Sequence, residues 1–178
     1  NQVEYEEAFY DGQKVSVSKI ITSLNESIVP MEYFEVYACN HEIDTMQYIL
    51  QLDGYSYYMM NIIDYLIGNT DRHWGNWGLL IDNETNQPIR LYDLMDFNKA
   101  FQAYDTPDGA NCLTTKAKMT QRQAAIEAVK KVGLNQVKEV DLAWFTDKAA
   151  RGMFEERLRI LRENHTCTDC VKEYEEKV

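Results

Sequence analysis

Apolar residues recur at Tyr55, Tyr58, Met59, Ile62, Ile63, Leu66 and Ile67, the i, i+3, i+4, i+7 spacing of a helix buried along one broad stripe. Seven such positions, each contributing roughly 1.5–3 kcal/mol on burial before entropy is subtracted, make this the expected central helix of the core. Upstream, Pro30 suits the first position of a helix PMEYFEVYACNH with Phe34, Tyr37 and Ala38 on one side. Asp44-Thr45 reads as the N-cap of a second helix running to about Leu52, with Gly54 separating it from the central one. Before these, a turn at Asp11-Gly12 precedes alternating Val15 and Val17 and the Ile20-Ile21 pair, which predict a strand or extended segment; VEYEE reads as a solvated helix turn or a connecting segment. After the central helix, two short apolar runs, Trp77 to Ile81 and Ile89 to Tyr92, flank Asp82-Asn83-Glu84-Thr85-Asn86, and together they predict a hairpin. Thr120-x-x-Gln123 is a capping box opening a helix through Ala124, Ala125, Ala128, Val129 and Val132 to Gly133. A cluster of Leu142, Trp144 and Phe145 is followed by a last helix from Thr146-Asp147, with Ala150, Met153, Phe154, Arg157, Leu158 and Leu161 spaced along it.

The chemistry-bearing residues concentrate between Gly68 and Phe101, around the predicted hairpin. Asp71-x-x-x-x-Asn76 has the spacing of a kinase catalytic loop, in which the Asp takes or orients the substrate hydroxyl and the Asn binds Mg²⁺. The second apolar run leads into Asp96-Phe97-Asn98, which looks like the metal-binding Asp-Phe-Gly turn with Asn, the residue after Gly most tolerant of positive φ, in the third place. Phosphoryl transfer asks for one carboxylate at the attacking oxygen and two or three oxygen ligands holding Mg²⁺ against the phosphates, and a hairpin returning Asp96 beside Asp71 and Asn76 supplies both. Beside Asp71, Arg72 can pair with an acid or with a phosphate, and the sequence leaves that choice open. His73, without a second ligand at metal spacing, reads as structural before it reads as a base or ligand. Trp74 and Trp77 are expected to wedge the loop against the core.

The runs IIDYLIGNTDRHWGNWGLLID and DLMDFNKAF resemble the HipA-like serine/threonine kinases, relatives of the phosphatidylinositol-kinase and protein-kinase folds. The resemblance covers roughly Tyr57 to Phe101. It implies a mainly α (α+β) fold, the helical C-terminal lobe of a protein-kinase-like domain spanning 1–178, with 1–29 as a connecting or extended segment. It implies Asp71 as catalytic acid/base and Asn76 and Asp96 as Mg²⁺ ligands of a bound Mg-ATP. Asp96 fits the Asp-x3-Ala-Phe frame ending at Phe101 better than Asp93, which remains the second choice. The cofactors implied are ATP and magnesium; the partners are a protein substrate and, through the family, an antitoxin-type protein.

Composition narrows the field further. With 45% hydrophobic and 26% charged residues the chain is globular. A net charge of −11 argues against non-specific nucleic-acid binding, which relies on Lys and Arg neutralising phosphates. No apolar run approaches the ~20 residues of a membrane span, no signal peptide is visible, and four Cys do not suggest a disulfide scaffold, so the expected setting is cytoplasmic. No G-x-G-x-x-G and no Walker pattern occurs. The expectation that follows is that the nucleotide-covering lobe lies on residues preceding Asn1, and that these 178 residues alone bind nucleotide weakly and transfer phosphate poorly. Gln102 to Thr115 falls where the activation segment of a kinase-like fold would lie, and reads equally well as a plain loop. His165, Cys167 and Cys170 supply three of the four ligands a structural zinc needs, and an exposed tail is the simpler reading. Two other functions compete: a non-catalytic kinase-like interaction module, and a metallophosphoesterase, for which three His are few.

Overall fold

A computed structural model describes residues 2–102, 106–134 and 140–165. The chain forms two compact units, one of residues 1–53 and 73–96, the other of residues 54–72 and 97 onward.

In the first unit, β1 (Tyr5–Tyr10) and β2 (Gln13–Ser18) form an antiparallel hairpin. Its two loop residues, Asp11 at φ 50° and Gly12 at φ 74°, both take the left-handed conformation that matches the twist of a two-residue connection. The VEYEE segment is thus largely strand and not a helix turn, because its partner across the hairpin satisfies its backbone. A second sheet has the order β3-β4-β5, all antiparallel: β3 (Glu26–Pro30), β4 (Gly78–Asp82) and β5 (Gln87–Leu91). The β4–β5 hairpin closes as expected. The Asp82 carboxylate accepts the N–H groups of Glu84 (2.9 Å) and Thr85 (2.8 Å), and Asn86 sits at φ 56°. β3 is an addition to the single hairpin expected. Its residue Pro30 pairs with Gly78 so closely that a Cβ on Gly78 would lie 2.2 Å from the Val29 carbonyl oxygen.

α1 (Met31–Asn40) begins one residue after Pro30, which is its N-cap. α2 runs Thr45–Ile67 but breaks at Asp53 (φ −154°, ψ 57°), one residue before the Gly54 expected to divide it. Asp44 accepts from the Gln47 N–H at 3.0 Å, the cap expected there. At the break, the Asp53 carboxylate accepts the Leu91 N–H at 3.0 Å.

The second unit holds the remainder of α2 with α3 (Gln121–Val132), a 3₁₀ turn (Leu142–Trp144) and α4 (Lys148–Asn164). Ile62, Tyr65, Leu66, Ala125, Ala128, Val129, Phe154 and Leu161 form its core. The Thr120–Gln123 capping box is present, and Asp147 caps α4 through the N–H groups of Ala149 and Ala150. α2 departs from the single-stripe expectation here. Tyr55 is exposed, whereas Tyr57, Met60, Asn61, Asp64 and Tyr65 are buried, so the helix is enclosed on more than one side. Among the described residues, no helix is long and apolar enough to cross a membrane.

Candidate functional site

The last turn of α2 builds the loop that carries Asp71. Gly68, at φ 63°, ends the helix; its N–H bonds to the Tyr65 carbonyl (3.2 Å), and the Asn69 N–H bonds to the Asp64 carbonyl (2.9 Å). This is the paired arrangement of a Schellman stop, which requires a left-handed residue where glycine stands. A Cβ on Gly68 would also lie 2.9 Å from the Arg157 guanidinium.

Beyond that stop the chain folds back onto Asp64. The Asp64 carboxylate accepts from Asn69 Nδ2 (2.9 Å), Arg72 Nε (2.9 Å) and an Arg72 terminal nitrogen (3.2 Å). Both members of the ion pair are almost wholly inaccessible, and the guanidinium carbon lies 4.8 Å from the centre of the Phe97 ring. Burial pushes the Asp64 carboxyl up from its ordinary value, opposed by the Arg72 charge and by the Arg72 and Asn69 hydrogen bonds. The question left open for Arg72 is thereby answered: it pairs with an acid. Asn69 is anchored a second time, its carbonyl accepting from Gln121 Nε2 at the start of α3. Asp71 itself is half-buried, in the second unit.

Asn76 belongs to the first unit, in a turn that holds the start of α1. Pro30 offers no side-chain cap; instead the Met31 N–H bonds to the Trp77 carbonyl (3.0 Å) and the Glu32 N–H to the Trp74 carbonyl (3.1 Å). The Asn76 N–H bonds to the His73 carbonyl at 2.9 Å. The His73 ring is exposed, and its Nδ1 accepts the Gly75 N–H at 3.0 Å. Trp77 is buried, with Trp74 edge-on to it at 6.0 Å, in keeping with the wedge expected.

Asp96 also lies in the first unit, half-buried, and its backbone is left-handed at φ 58°. The special conformation thus falls on the acid itself and not on Asn98; five residues later Phe101 adopts φ 57°. Asp93 is engaged elsewhere, its carboxylate 2.7 Å from Arg90. Immediately before Asp96, Met95 lines a cavity of about 550 Å³ within the first unit. Its other walls are Val3 and Tyr5, the strand Glu26–Ile28 and the connection 18–22 between β2 and β3. No motif in the sequence announced that cavity.

Residues 106–120 pack onto α2 in the second unit. Tyr65 donates to the Pro107 carbonyl (2.6 Å), Arg157 donates to the Thr106 and Tyr65 carbonyls (3.2 and 2.7 Å), and buried Thr114 donates to Asn61 Oδ1 (2.6 Å). Among the described residues no group of three or more His, Cys, Asp or Glu side chains is arranged to hold a metal ion. Cys167 and Cys170 fall outside the described residues.

Asp64 is the residue of this arrangement that sequence reasoning missed. The available signal was an acid at the centre of the apolar run IIDYLI, where an unpaired charge would be costly.

No protein-family model and no curated protein matches this chain. Among solved structures, it is similar to the crystal structure of a Helicobacter pylori proinflammatory kinase, CtkA, with 16% sequence identity and a TM-score of 0.59 over 93% of this chain and 76% of that one. At that identity the likeness speaks for the fold alone: the chain has a mixed α/β, kinase-like fold of helices and small antiparallel sheets.

Proposed function

We propose that this protein is an ATP-dependent phosphotransferase of the HipA-like serine/threonine kinase type, passing the γ-phosphate to a hydroxyl on a protein substrate. Asp71 orients the attacking hydroxyl and takes its proton, while Asn76 and Asp96 are the magnesium ligands. The donor set suits that ion. Mg²⁺ prefers hard oxygen ligands and is held by one or two carboxylates together with substrate phosphates and waters, so an amide oxygen and a carboxylate suffice. When bound, magnesium supplies charge neutralisation on the phosphates. Asp96 is the preferred carboxylate because Asp93 is held by Arg90. In this reading the purine lies in the open groove of about 550 Å³, where Val3, Ile28 and Met95 offer apolar surface and the 18–22 backbone offers hydrogen-bonding groups.

The observation that carries the reading is Asp96 in a left-handed backbone directly after Met95, a residue of that cavity's wall. Non-glycine residues held in this region cost of order 1–3 kcal/mol and cluster at functional sites. The test is transfer of labelled phosphate from ATP in the purified full-length protein and its Asp71→Asn variant, with autophosphorylation and generic Ser/Thr substrates as acceptors. The wild type is expected to transfer and the variant to lose at least ~10³-fold, the scale on which catalytic groups act. A wild type without transfer, or a variant as active as wild type, overturns the proposal.

A further inference from the structure

We propose that Asp64 is a positioning residue, which fixes Asp71 by holding the chain on both sides of it through Asn69 and Arg72. This role rests on the phosphotransferase reading above. Asp64 makes every one of the contacts concerned: its carbonyl accepts the Asn69 N–H, and its carboxylate accepts the Asn69 amide and the Arg72 fork. Residues 69 and 72 are therefore tied to one helical residue, and only Thr70 and Asp71 lie between the ties. Phe97 lies against the guanidinium, and Gln121 holds the Asn69 carbonyl, so neither tie can swing without disturbing a second element of the same unit.

A role in stability alone is a poor explanation for this arrangement. Desolvating two charges offsets much of their attraction, and well-packed apolar residues of similar volume often serve stability as well or better. What an ion pair with a two-pronged donor adds is direction: Nε and a terminal nitrogen on two carboxylate oxygens set both the distance and the plane of Arg72. Arg72 is the immediate neighbour of Asp71, so that plane also limits the path of the backbone bearing the proposed catalytic carboxylate.

The experiment measures phosphate transfer by the purified protein at temperatures below each variant's melting point. Asp64→Asn is expected to lower kcat about 100-fold with KM for ATP changed less than about threefold, since a misplacement of 1 Å costs on that scale while nucleotide binding is untouched. The double variant Asp64→Leu, Arg72→Met removes the charges together and tests whether a folded protein without the ties is still impaired. Its kcat is expected to stay low although its melting curve remains cooperative. Val129→Ala, a core truncation elsewhere in the unit, is expected to melt earlier yet keep wild-type kcat. A double variant with wild-type kcat overturns the positioning role, as does a Val129→Ala variant that loses kcat to the same degree. A wild type without Asp71-dependent transfer overturns the phosphotransferase reading, and the role of Asp64 in it; the two failures are told apart by the Asp71→Asn comparison.

Discussion

Substitutions at position 96 separate the backbone demand from the chemical one. The residue sits at φ 58°. An L-residue in that region meets a Cβ–carbonyl conflict worth roughly 1–2 kcal/mol, which Asp and Asn partly relieve through local hydrogen bonds of their short side chains. Alanine at 96 retains the Cβ conflict and loses that relief. Glycine escapes the conflict but adds roughly 0.5–1 kcal/mol of unfolded-state entropy. The balance predicts that Asp96→Gly is at least as stable as wild type and about 1 kcal/mol more stable than Asp96→Ala, with Asp96→Asn near wild type. For a chain of this size, 1 kcal/mol corresponds to roughly 2–4 °C in Tm. Urea denaturation with unchanged m-values gives the stability order, and phosphate transfer gives the chemical one. Activity should fall in all three variants, including the glycine variant that loses no stability. An alanine variant as stable as the glycine one would refute the left-handed backbone at 96, and a glycine variant with wild-type transfer would refute the role of its carboxylate.

Two glycines should respond to alanine in opposite directions. Gly78→Ala places a methyl 2.2 Å from the Val29 carbonyl and is expected to lose about 1–3 kcal/mol, read by thermal denaturation, because β3 must shift to admit it. Gly152→Ala, in α4 with nothing within 4 Å of the new methyl, is expected to gain about 0.5–1 kcal/mol. High pH should unfold the protein through its buried phenols. Burial pushes Tyr57 and Tyr65 up to about 12 from the ordinary 10. Their contribution is therefore whole below pH 10 and is lost as pH rises through 10 to 12, by at most about 1.4 kcal/mol per pH unit for each group. Urea titrations across that range should show the loss, reduced in Tyr57→Phe and Tyr65→Phe, and absorbance near 295 nm should show a late-titrating class among the 12 tyrosines. A stability flat from pH 10 to 12 would refute the buried neutral state of both.

What was legible in the sequence is what short-range chemistry decides. The capping box at Thr120 and Gln123, the Asp147 cap and the Asp82–Asn86 turn each satisfy backbone groups within a few residues, so residue type and spacing suffice. β3 was not legible, because ESIVP becomes a strand only by pairing with Gly78–Asp82, some fifty residues away. Pro30 shows the same limit: its fixed φ suits a first helical turn, but pairing with Gly78 makes it the last residue of a strand and the cap of the helix. In α2 the apolar stripe marked one buried face correctly at Ile62 and Leu66 and missed Asn61 and Asp64, since a polar residue is admitted to a core only when partners from elsewhere in the chain complete its hydrogen bonds. Of the candidate site, the acids and the amide were readable as residue types; the cavity beside Met95 was not, as its walls come from four separate stretches of chain.

The segment from Asn69 to Gly78 is short, yet its backbone is fixed by helix ends remote from one another in sequence. Residues 69 to 72 answer to the C-terminal turn of α2, through Gly68 and Asp64. Residues 74 to 77 answer to the N-terminus of α1, whose first N–H groups have no side-chain cap from Pro30 and take the Trp74 and Trp77 carbonyls. Loss of a helix terminus should therefore displace one candidate residue and spare the other: Gly68→Ala acts on Asp71, and disruption of Trp77 acts on Asn76. Among the described residues two arginines are buried: Arg157 donates to the Tyr65 and Thr106 carbonyls, and Arg72, beside Asp71, is paired with Asp64, so the buried positive charge next to Asp71 is already compensated within the second unit.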